Sequence, residues 1–312
     1  MNRKIGFILA DTHGGSDLGM LSPGTQIDME LPDGRVEKRT LELNPVQLYL
    51  NKIFEWLLGV AIQFAQGDEI LFIHDGDLTQ GNRHGSLISP SETIQEIIAL
   101  KTLSRVLEAL PTCRTVRILK GTGAHVFGSG DSEAMVGKLL GQQYPDRDVR
   151  VFYHNLITFN GVPCDISHHG PPPGRRTWLE GNEARYYLRS LMLAELVDGR
   201  VPARLMVRAH YHTYVKETIS MQVNSSEVQS TIVVCPSLCM VDDYARKVVK
   251  SPYKISLGGI FFETIDGRLT DVQVAIKTTD VRTKEIIDGS DRIEPDRGVP
   301  AAAHGGGGTG TG

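Results

Sequence analysis

Cysteines are few in this sequence, and those present lack the spacing of a zinc site. The four in the 312-residue chain are Cys113, Cys164, Cys235 and Cys239. Structural zinc sites that use thiolates need paired cysteines at short spacings, which this chain does not have. We therefore interpret Cys235-x-x-x-Cys239 as a pair of buried thiols, and expect a reducing, intracellular setting.

Long apolar runs and blocks of positive charge are also missing. No stretch reaches the ~18–20 apolar residues of a membrane span, so we expect no membrane segment. The net charge is −4, and no basic block favours strong nonspecific binding to DNA or RNA. The apolar run that follows Met1-Asn2-Arg3-Lys4 leads directly into Asp11 without a small-residue cleavage site. We interpret it as a core strand rather than a signal peptide, and expect a cytoplasmic protein.

The overall composition is ordinary for a globular protein, with 40% hydrophobic and 22% charged residues. This length can bury a sizeable core. We expect one domain over residues 1–280. Residues 281–312 end in a glycine-rich stretch that cannot pack a core, so we expect a flexible tail there, and His304 within it is not a site residue.

The first apolar segment ends in two side chains that could bind a metal. Residues 5–10 form a run of strand length that leads into Asp11-Thr12-His13 and then two glycines. Side chains alternate along a strand, so Asp11 and His13 point the same way. An oxygen and a nitrogen ligand suit a divalent ion such as Zn, Mn or Fe. An isolated Asp-x-His is a weak signal, because it is usually just a polar strand end.

The same strand–helix–strand pattern then repeats along the chain. Asn44-Pro45 predicts the start of one helix, and Ser89-Pro90-Ser91-Glu92 predicts a capping box with proline at the first position of another. Buried strands over residues 70–73 and 115–119 end in polar loops. In open α/β sheets, the loops at that edge of the sheet carry the sites.

Five of these strand-end loops carry aspartate or histidine. The residues are Asp11, His13, Asp77, His125, His168 or His169, His210 and His212. A lone histidine in such a loop is usually an ordinary polar residue. Their coincidence in five loops predicts a metal site at one edge of the sheet.

Taken in order, these loops resemble a known family. Asp11-x-His13, Gly76-Asp77, a Gly-x-His-like loop at His125, His168-His169-Gly170 and His210-x-His212 are similar to the five motif blocks of the calcineurin-like metallophosphoesterases, over roughly residues 4–213. The resemblance implies an α/β (α+β) fold in which a two-sheet β-sandwich is flanked by helices, an αββα architecture. Alternating segments at 214–221, 230–234, 255–262 and 269–276 predict a second sheet, with Asp266-Gly267 as a hairpin turn.

The resemblance also implies a centre with two divalent ions, which could be Mn, Fe or Zn. Asp11, His13 and His212 would hold one ion, Asp77 would bridge both, and His210 with His168 would hold the other. We favour His168 over its neighbour His169 because the residues that follow resemble family variants. Ions ~3.5–4 Å apart would share a hydroxide that attacks phosphorus. His125 would then give a proton to the leaving oxygen.

Two blocks depart from the family pattern. The third block lacks its usual asparagine ligand, and either Ala124 or the weak hydroxyl ligand Thr122 takes that place. We therefore expect a looser second ion and an activity that falls sharply when free metal is removed. The second block begins at Gly76-Asp77. Gln80 stands where the family often has a second aspartate, and no arginine follows it directly. This argues against a phosphoprotein phosphatase of the serine/threonine branch.

Two pairs of residues are candidates for contacts with a substrate phosphate: Arg83 with His84, and Arg175 with Arg176. A solvated loop charge is the alternative for each pair.

The leading hypothesis is a phosphohydrolase that acts on a small-molecule phosphomonoester or phosphodiester. A nuclease of the same fold and a noncatalytic scaffold relative are the alternatives. A zinc hydrolase of the metallo-β-lactamase type would need a His-x-His-x-Asp-His run, which is absent.

Overall fold

The computed structural model describes residues 2–83, 85–125, 127, 131–174, 179–242, 246, 254–283 and 285. Its strands are β1 Arg3–Leu9, β2 Gln26–Glu30, β3 Val36–Thr40, β4 Glu69–Asp75, β5 Cys113–Leu119, β6 Asp148–Phe152, β7 His154–Phe159, β8 Val162–Ser167, β9 Leu205–Arg208, β10 Val215–Val223, β11 Ser226–Val234, β12 Lys254–Ile265 and β13 Arg268–Asp280. Its α-helices are α1 Pro45–Ala65, α2 Glu92–Ala109, α3 Ser132–Gln143 and α4 Asn182–Val197, and a 3₁₀ turn covers Gly123–His125.

Two large sheets are present. The first has the order β13-β12-β1-β4-β5-β6, and the second has the order β10-β11-β9-β8-β7. Strands β1, β4, β5 and β6 run parallel to one another, as do β8, β9 and β11. The strands β2 and β3 form a separate two-stranded hairpin, as the turn residues around Pro32-Asp33-Gly34 predict.

The sheets pack face to face, and helices cover their outer faces. Ile8 and Ile73 of the first sheet share a buried cluster with Ile166 and Val207 of the second. Apolar stripes of α1, α2 and α3 pack on the outer face of the first sheet, and α4 packs on the outer face of the second. Each layer buries its apolar side against a neighbour, which is the general basis of layered domains. The predicted αββα sandwich is confirmed.

Local signals placed several elements correctly. Asn44 caps α1 in a capping box with Gln47, and Pro45 is the first helical residue. The hairpin turns at Asn160-Gly161 and Asp266-Gly267 have positive φ at both central residues, as type I′ turns require. Each of the four cysteines is a buried free thiol. None of the helices that the structure describes is long and apolar enough to cross a membrane.

Two local predictions were wrong. The prediction that residues 255–262 and 269–276 belong to the second sheet fails, because β12 pairs with β1 and β13 pairs with β12. The alternation of apolar and polar residues identifies a strand, but it does not identify the strand with which it pairs. The cap of α2 is Ser91 and not Ser89, since the Gln95 side chain donates to the Ser89 carbonyl and holds that residue outside the helix.

Most of the predicted tail, including His304, lies outside the described residues. The sequence also predicts a helix from about Trp178 to Val197, and Trp178 too lies outside the described residues. The described part of α4 begins at Asn182, after Gly181. The division of the chain at residue 280 therefore stays a prediction.

Packing between strands predicts the effect of one substitution. A Cβ atom added at Gly6 of β1 would overlap the ring of Phe262 on β12. We expect Gly6→Ala to lower the free energy of unfolding by about 1–3 kcal/mol, because a packed core accommodates extra volume only with strain. Urea denaturation measures this change.

Gly59→Ala is the matched control. Gly59 lies in α1, and an added Cβ there meets no atom within 4 Å. Alanine has the higher helix propensity, so this variant should gain up to about 1 kcal/mol. Equal stability of the two variants would contradict the packing described for β1 and β12.

Candidate metal centre

The polar loops at one end of the sandwich converge on a single buried centre. Loops after β1, β4 and β5 of the first sheet bring Asp11, His13, Asp77 and His125, and loops after β8 and β9 of the second sheet bring His168, His210 and His212. The expectation that all of these residues lie at the edge of one sheet was therefore wrong. The two sheets supply opposite sides of the centre, because their strands end at the same end of the sandwich.

Hydrogen bonds tie the loops to one another. The backbone N–H of Asp11 donates to the Gly76 carbonyl at 3.1 Å, and that of His13 donates to the Asp77 carbonyl at 3.0 Å. Between the sheets, the His210 N–H donates to Oδ2 of Asp11 at 3.3 Å. These bonds couple the positions of the side chains across the sandwich.

The backbone is bent unusually at this centre. Asp11, His13, Asp77, His210 and His212 all have positive φ, between 45° and 77°. This region is sparsely populated by residues other than glycine, and such outliers cluster at functional sites. The other non-glycine residues with positive φ in the described chain are the C-cap of α1 and the turns of three hairpins. Five bent residues in one cluster therefore indicate a site.

One group of possible ligands consists of Asp11, His13 and His212. Nε2 of His212 lies 3.3 Å from Oδ1 of Asp11 and 3.3 Å from Nε2 of His13. Oδ1 of Asp11 is buried and has no hydrogen-bond partner among the described residues. A buried carboxylate oxygen beside two converging imidazole nitrogens fits a divalent cation.

A second group consists of Asp77, His168 and His210. Nε2 of His168 lies 3.0 Å from Oδ2 of Asp77. On the other side of the ring, Nδ1 of His168 donates to the Asp75 carbonyl at 2.5 Å. This bond orients the imidazole and directs Nε2 toward the centre, as hydrogen bonds behind metal-binding histidines do.

The third group, His13, Asp77 and His125, overlaps the other two. Nδ1 of His125 bonds to the Gln80 carbonyl at 2.9 Å, and its Nε2 lies 3.8 Å from Oδ2 of Asp77. The rings of His125 and His13 meet edge to face, with centroids 4.5 Å apart. Because Asp77 and His13 each belong to two groups, the three groups form one continuous centre.

The charges of the centre are strongly coupled. Burial opposes the ionisation of Asp11 and Asp77, but the neighbouring histidines, His212 and His168 respectively, outweigh it and lower the pKa of both carboxyl groups. Burial also disfavours the charged imidazoles, yet these carboxylates raise the pKa of His168 and of His212. Burial, with the charge of His125, lowers the pKa of His13. A divalent ion bound here would take the place of the protons on His168 and His212, because carboxylates with unprotonated imidazoles are the donor set that such ions need.

The remaining predicted residues lie elsewhere. His169 is exposed, its ring centroid is 5.2 Å from that of His168, and it belongs to none of the three groups found among the described residues. Arg83 is exposed in the loop that follows Gly81. His84, Arg175 and Arg176 lie outside the described residues, so their contact with a substrate stays a prediction.

Glu133 was not among the residues predicted from the sequence. It contacts the loop that carries Thr122 and His125. It is buried in the first turn of α3, where an acidic residue usually reflects helix capping alone. Burial, with the charge of Asp77, raises the pKa of Glu133 to about 7, although the N–H of Gly121 bonds to its carboxylate. Glu133 thus holds the start of the loop that carries Thr122 and His125.

Comparisons with known proteins add one finding. No protein-family model matches the chain, and no curated protein matches it. Among solved structures, a metallophosphoesterase from Sphaerobacter thermophilus matches with 12% identity, over 87% of this chain and 87% of that chain, at a TM-score of 0.30.

The buried carboxyl group of Glu133 predicts a pH dependence of stability in the metal-free protein. Its pKa rises from 4.5 to about 7 on folding. Between these values the unfolded chain releases a proton that the folded protein keeps, so stability falls as the pH rises through this window. The full loss is up to about 3 kcal/mol.

Glu133→Gln removes this titration and keeps an oxygen that can accept from Gly121. We expect the variant to lose less stability than the wild type between pH 5 and pH 8, as measured by urea unfolding with a chelator present. Parallel stability curves for the two proteins would contradict the assignment.

Proposed function

We propose that this chain is a metal-dependent phosphoesterase of the calcineurin-like metallophosphoesterase family. The observation that carries the proposal is the convergence of all five motif loops, from two different sheets, on one buried centre of carboxylates and imidazoles. Five aspartate and histidine residues of these loops have positive φ. Such a conformation is costly for residues other than glycine and is found mainly at functional sites, so ordinary connecting loops would not account for it.

The centre would hold two divalent ions, with Mn, Fe or Zn as candidates. Asp11, His13 and His212 would hold one ion, and His168 with His210 would hold the other. The membership of Asp77 in two of the three groups supports a bridging role for it. Ions bound there would lower the pKa of a water molecule and neutralise charge on a phosphate group.

His125 is the residue we assign to proton transfer. Its Nδ1–H is engaged by the Gln80 carbonyl, which leaves Nε2 facing the centre. In the doubly protonated imidazole, the Nε2 proton is the one that can pass to the leaving oxygen as the phosphorus–oxygen bond breaks. The positive charge of that form is offset by Asp77, whose Oδ2 lies 3.8 Å away.

Loss of the bridging carboxylate tests the mechanism directly. We expect Asp77→Asn to abolish hydrolysis of every true substrate, because asparagine keeps the shape but removes the charge that would hold two cations. A chelator should abolish the activity of the wild type, and added Mn²⁺ should restore it. Full activity in Asp77→Asn, or after removal of metal, would overturn the proposal.

The two adjacent histidines offer a matched pair of variants. His168→Ala removes a buried imidazole whose Nε2 reaches Asp77, whereas His169→Ala removes an exposed ring. Loss of His168 should lower kcat/KM at least about 100-fold, since partners that only orient ligands already cost about 10–100-fold. His169→Ala should stay within a few-fold of the wild type. The reverse ranking would assign the ligand role to His169.

We propose a small-molecule phosphomonoester or phosphodiester as the substrate, rather than nucleic acid. The net charge of −4 and the absence of a basic block support this choice. Turnover of p-nitrophenyl phosphate, bis-p-nitrophenyl phosphate and single-stranded DNA, each with Mn²⁺, separates the classes. Preference for DNA would indicate a nuclease, and no turnover together with no bound metal would indicate a noncatalytic relative.

A further inference from the structure

Thr122 contacts two residues of the second group of possible ligands. Its hydroxyl oxygen is 3.1 Å from Oδ2 of Asp77 and 3.1 Å from Nδ1 of His210. Both of these atoms belong to residues of the group formed by Asp77, His168 and His210. Ala124, the other residue that could take the place of the missing asparagine, offers no ligand atom in its side chain.

The loop around Thr122 is held in place from several sides. The N–H of Thr122 donates to Oδ1 of Asp77 at 2.6 Å. Gly121 packs so closely on Asp77 that an added Cβ would overlap its backbone and its carboxylate. The Gly121 N–H in turn bonds to the buried carboxylate of Glu133. The backbone of Thr122 is therefore fixed beside Asp77, and the contacts of Oγ1 with Asp77 and His210 set the rotamer of its side chain.

The three groups can also satisfy one another by hydrogen bonds in the metal-free protein. In the tautomer of His210 that carries a proton on Nδ1, the Thr122 hydroxyl donates to Oδ2 of Asp77 and accepts from Nδ1–H. In the other tautomer Nδ1 of His210 has a lone pair. The hydroxyl oxygen then lies 3.1 Å from a carboxylate oxygen and 3.1 Å from an imidazole nitrogen, and this set of oxygen and nitrogen donors suits a divalent cation.

We infer that Oγ1 of Thr122 is a ligand of the second divalent ion, alongside Asp77, His168 and His210. This inference rests on the proposed function, and it assigns to a hydroxyl the position that the family gives to asparagine. A neutral hydroxyl is a weak donor, so the second ion should bind less tightly than the ion held by Asp11, His13 and His212.

Titration of metal-free, full-length protein with Mn²⁺ by calorimetry provides the first test. Wild type should bind two ions in two steps of different affinity. Thr122→Val keeps the shape without the hydroxyl, and should weaken the second step at least about tenfold while leaving the first unchanged. Thr122→Ser keeps a hydroxyl and should stay within a few-fold of the wild type. The unchanged first step also shows that the variant is folded.

Thr122→Cys provides a direct test of coordination. A thiolate at this position should give a sulfur-to-metal charge-transfer band when Co²⁺ is added, and the wild type should give none. A band shows that the side chain at position 122 reaches the ion, which a residue that only positions Asp77 and His210 by hydrogen bonds need not do. It also decides the matter if Thr122→Val does not fold.

The outcomes separate this inference from the proposed function. If the wild type binds no Mn²⁺, both fail. If the wild type binds two ions and hydrolyses a phosphoester, but Thr122→Val binds both ions with unchanged affinity, the Thr122 assignment alone is wrong. Weakened binding in Thr122→Val without a charge-transfer band in Thr122→Cys also overturns it, because Thr122 then acts only through hydrogen bonds.

Discussion

The burial of two carboxylates, Asp11 and Asp77, inside one centre is the constraint on which the site depends. Neither group is solvated, and each raises the pKa of histidines around it while those histidines lower its own. Buried charges of one sign require a compensating positive charge. Imidazolium groups can supply it in the metal-free protein, and divalent cations can supply it otherwise. The same arrangement thus accounts for the coupled charges and for the capacity to hold metal.

The sandwich makes this burial possible. A single sheet edge could present Asp11, His13 and Asp77, but it would leave them open to water on one side. The ends of β8 and β9 close that side and add His168, His210 and His212. The packed interface between the sheets fixes where the two sets of loops meet. The many contacts of the surrounding structure also stabilise the unfavourable positive φ of five residues there.

The two halves of the centre are built differently. At Asp11, Oδ1 has no hydrogen-bond partner among the described residues, and Oδ2 accepts from the His210 N–H. At Asp77, two neighbouring residues are held by further hydrogen bonds: His168 by the Asp75 carbonyl, and Thr122 through Gly121 and Glu133. Rigid support of this kind compensates for a weaker donor, because a preorganised ligand loses less entropy when it binds. The hydroxyl of Thr122 is therefore consistent with a functional second position.

The sequence by itself determined the features that depend on neighbours along the chain. The strand that ends in Asp11-x-His13, the cap at Asn44, the type I′ turns and the order of the loops that carry aspartate and histidine all follow from local patterns. Tertiary structure alone decided the partner of β12, the burial of His168 next to the exposed His169, the position of Thr122 beside Asp77 and His210, and the support from Glu133. These depend on which strands pair and which loops meet across the sandwich, and spacing along the chain does not encode such distant contacts.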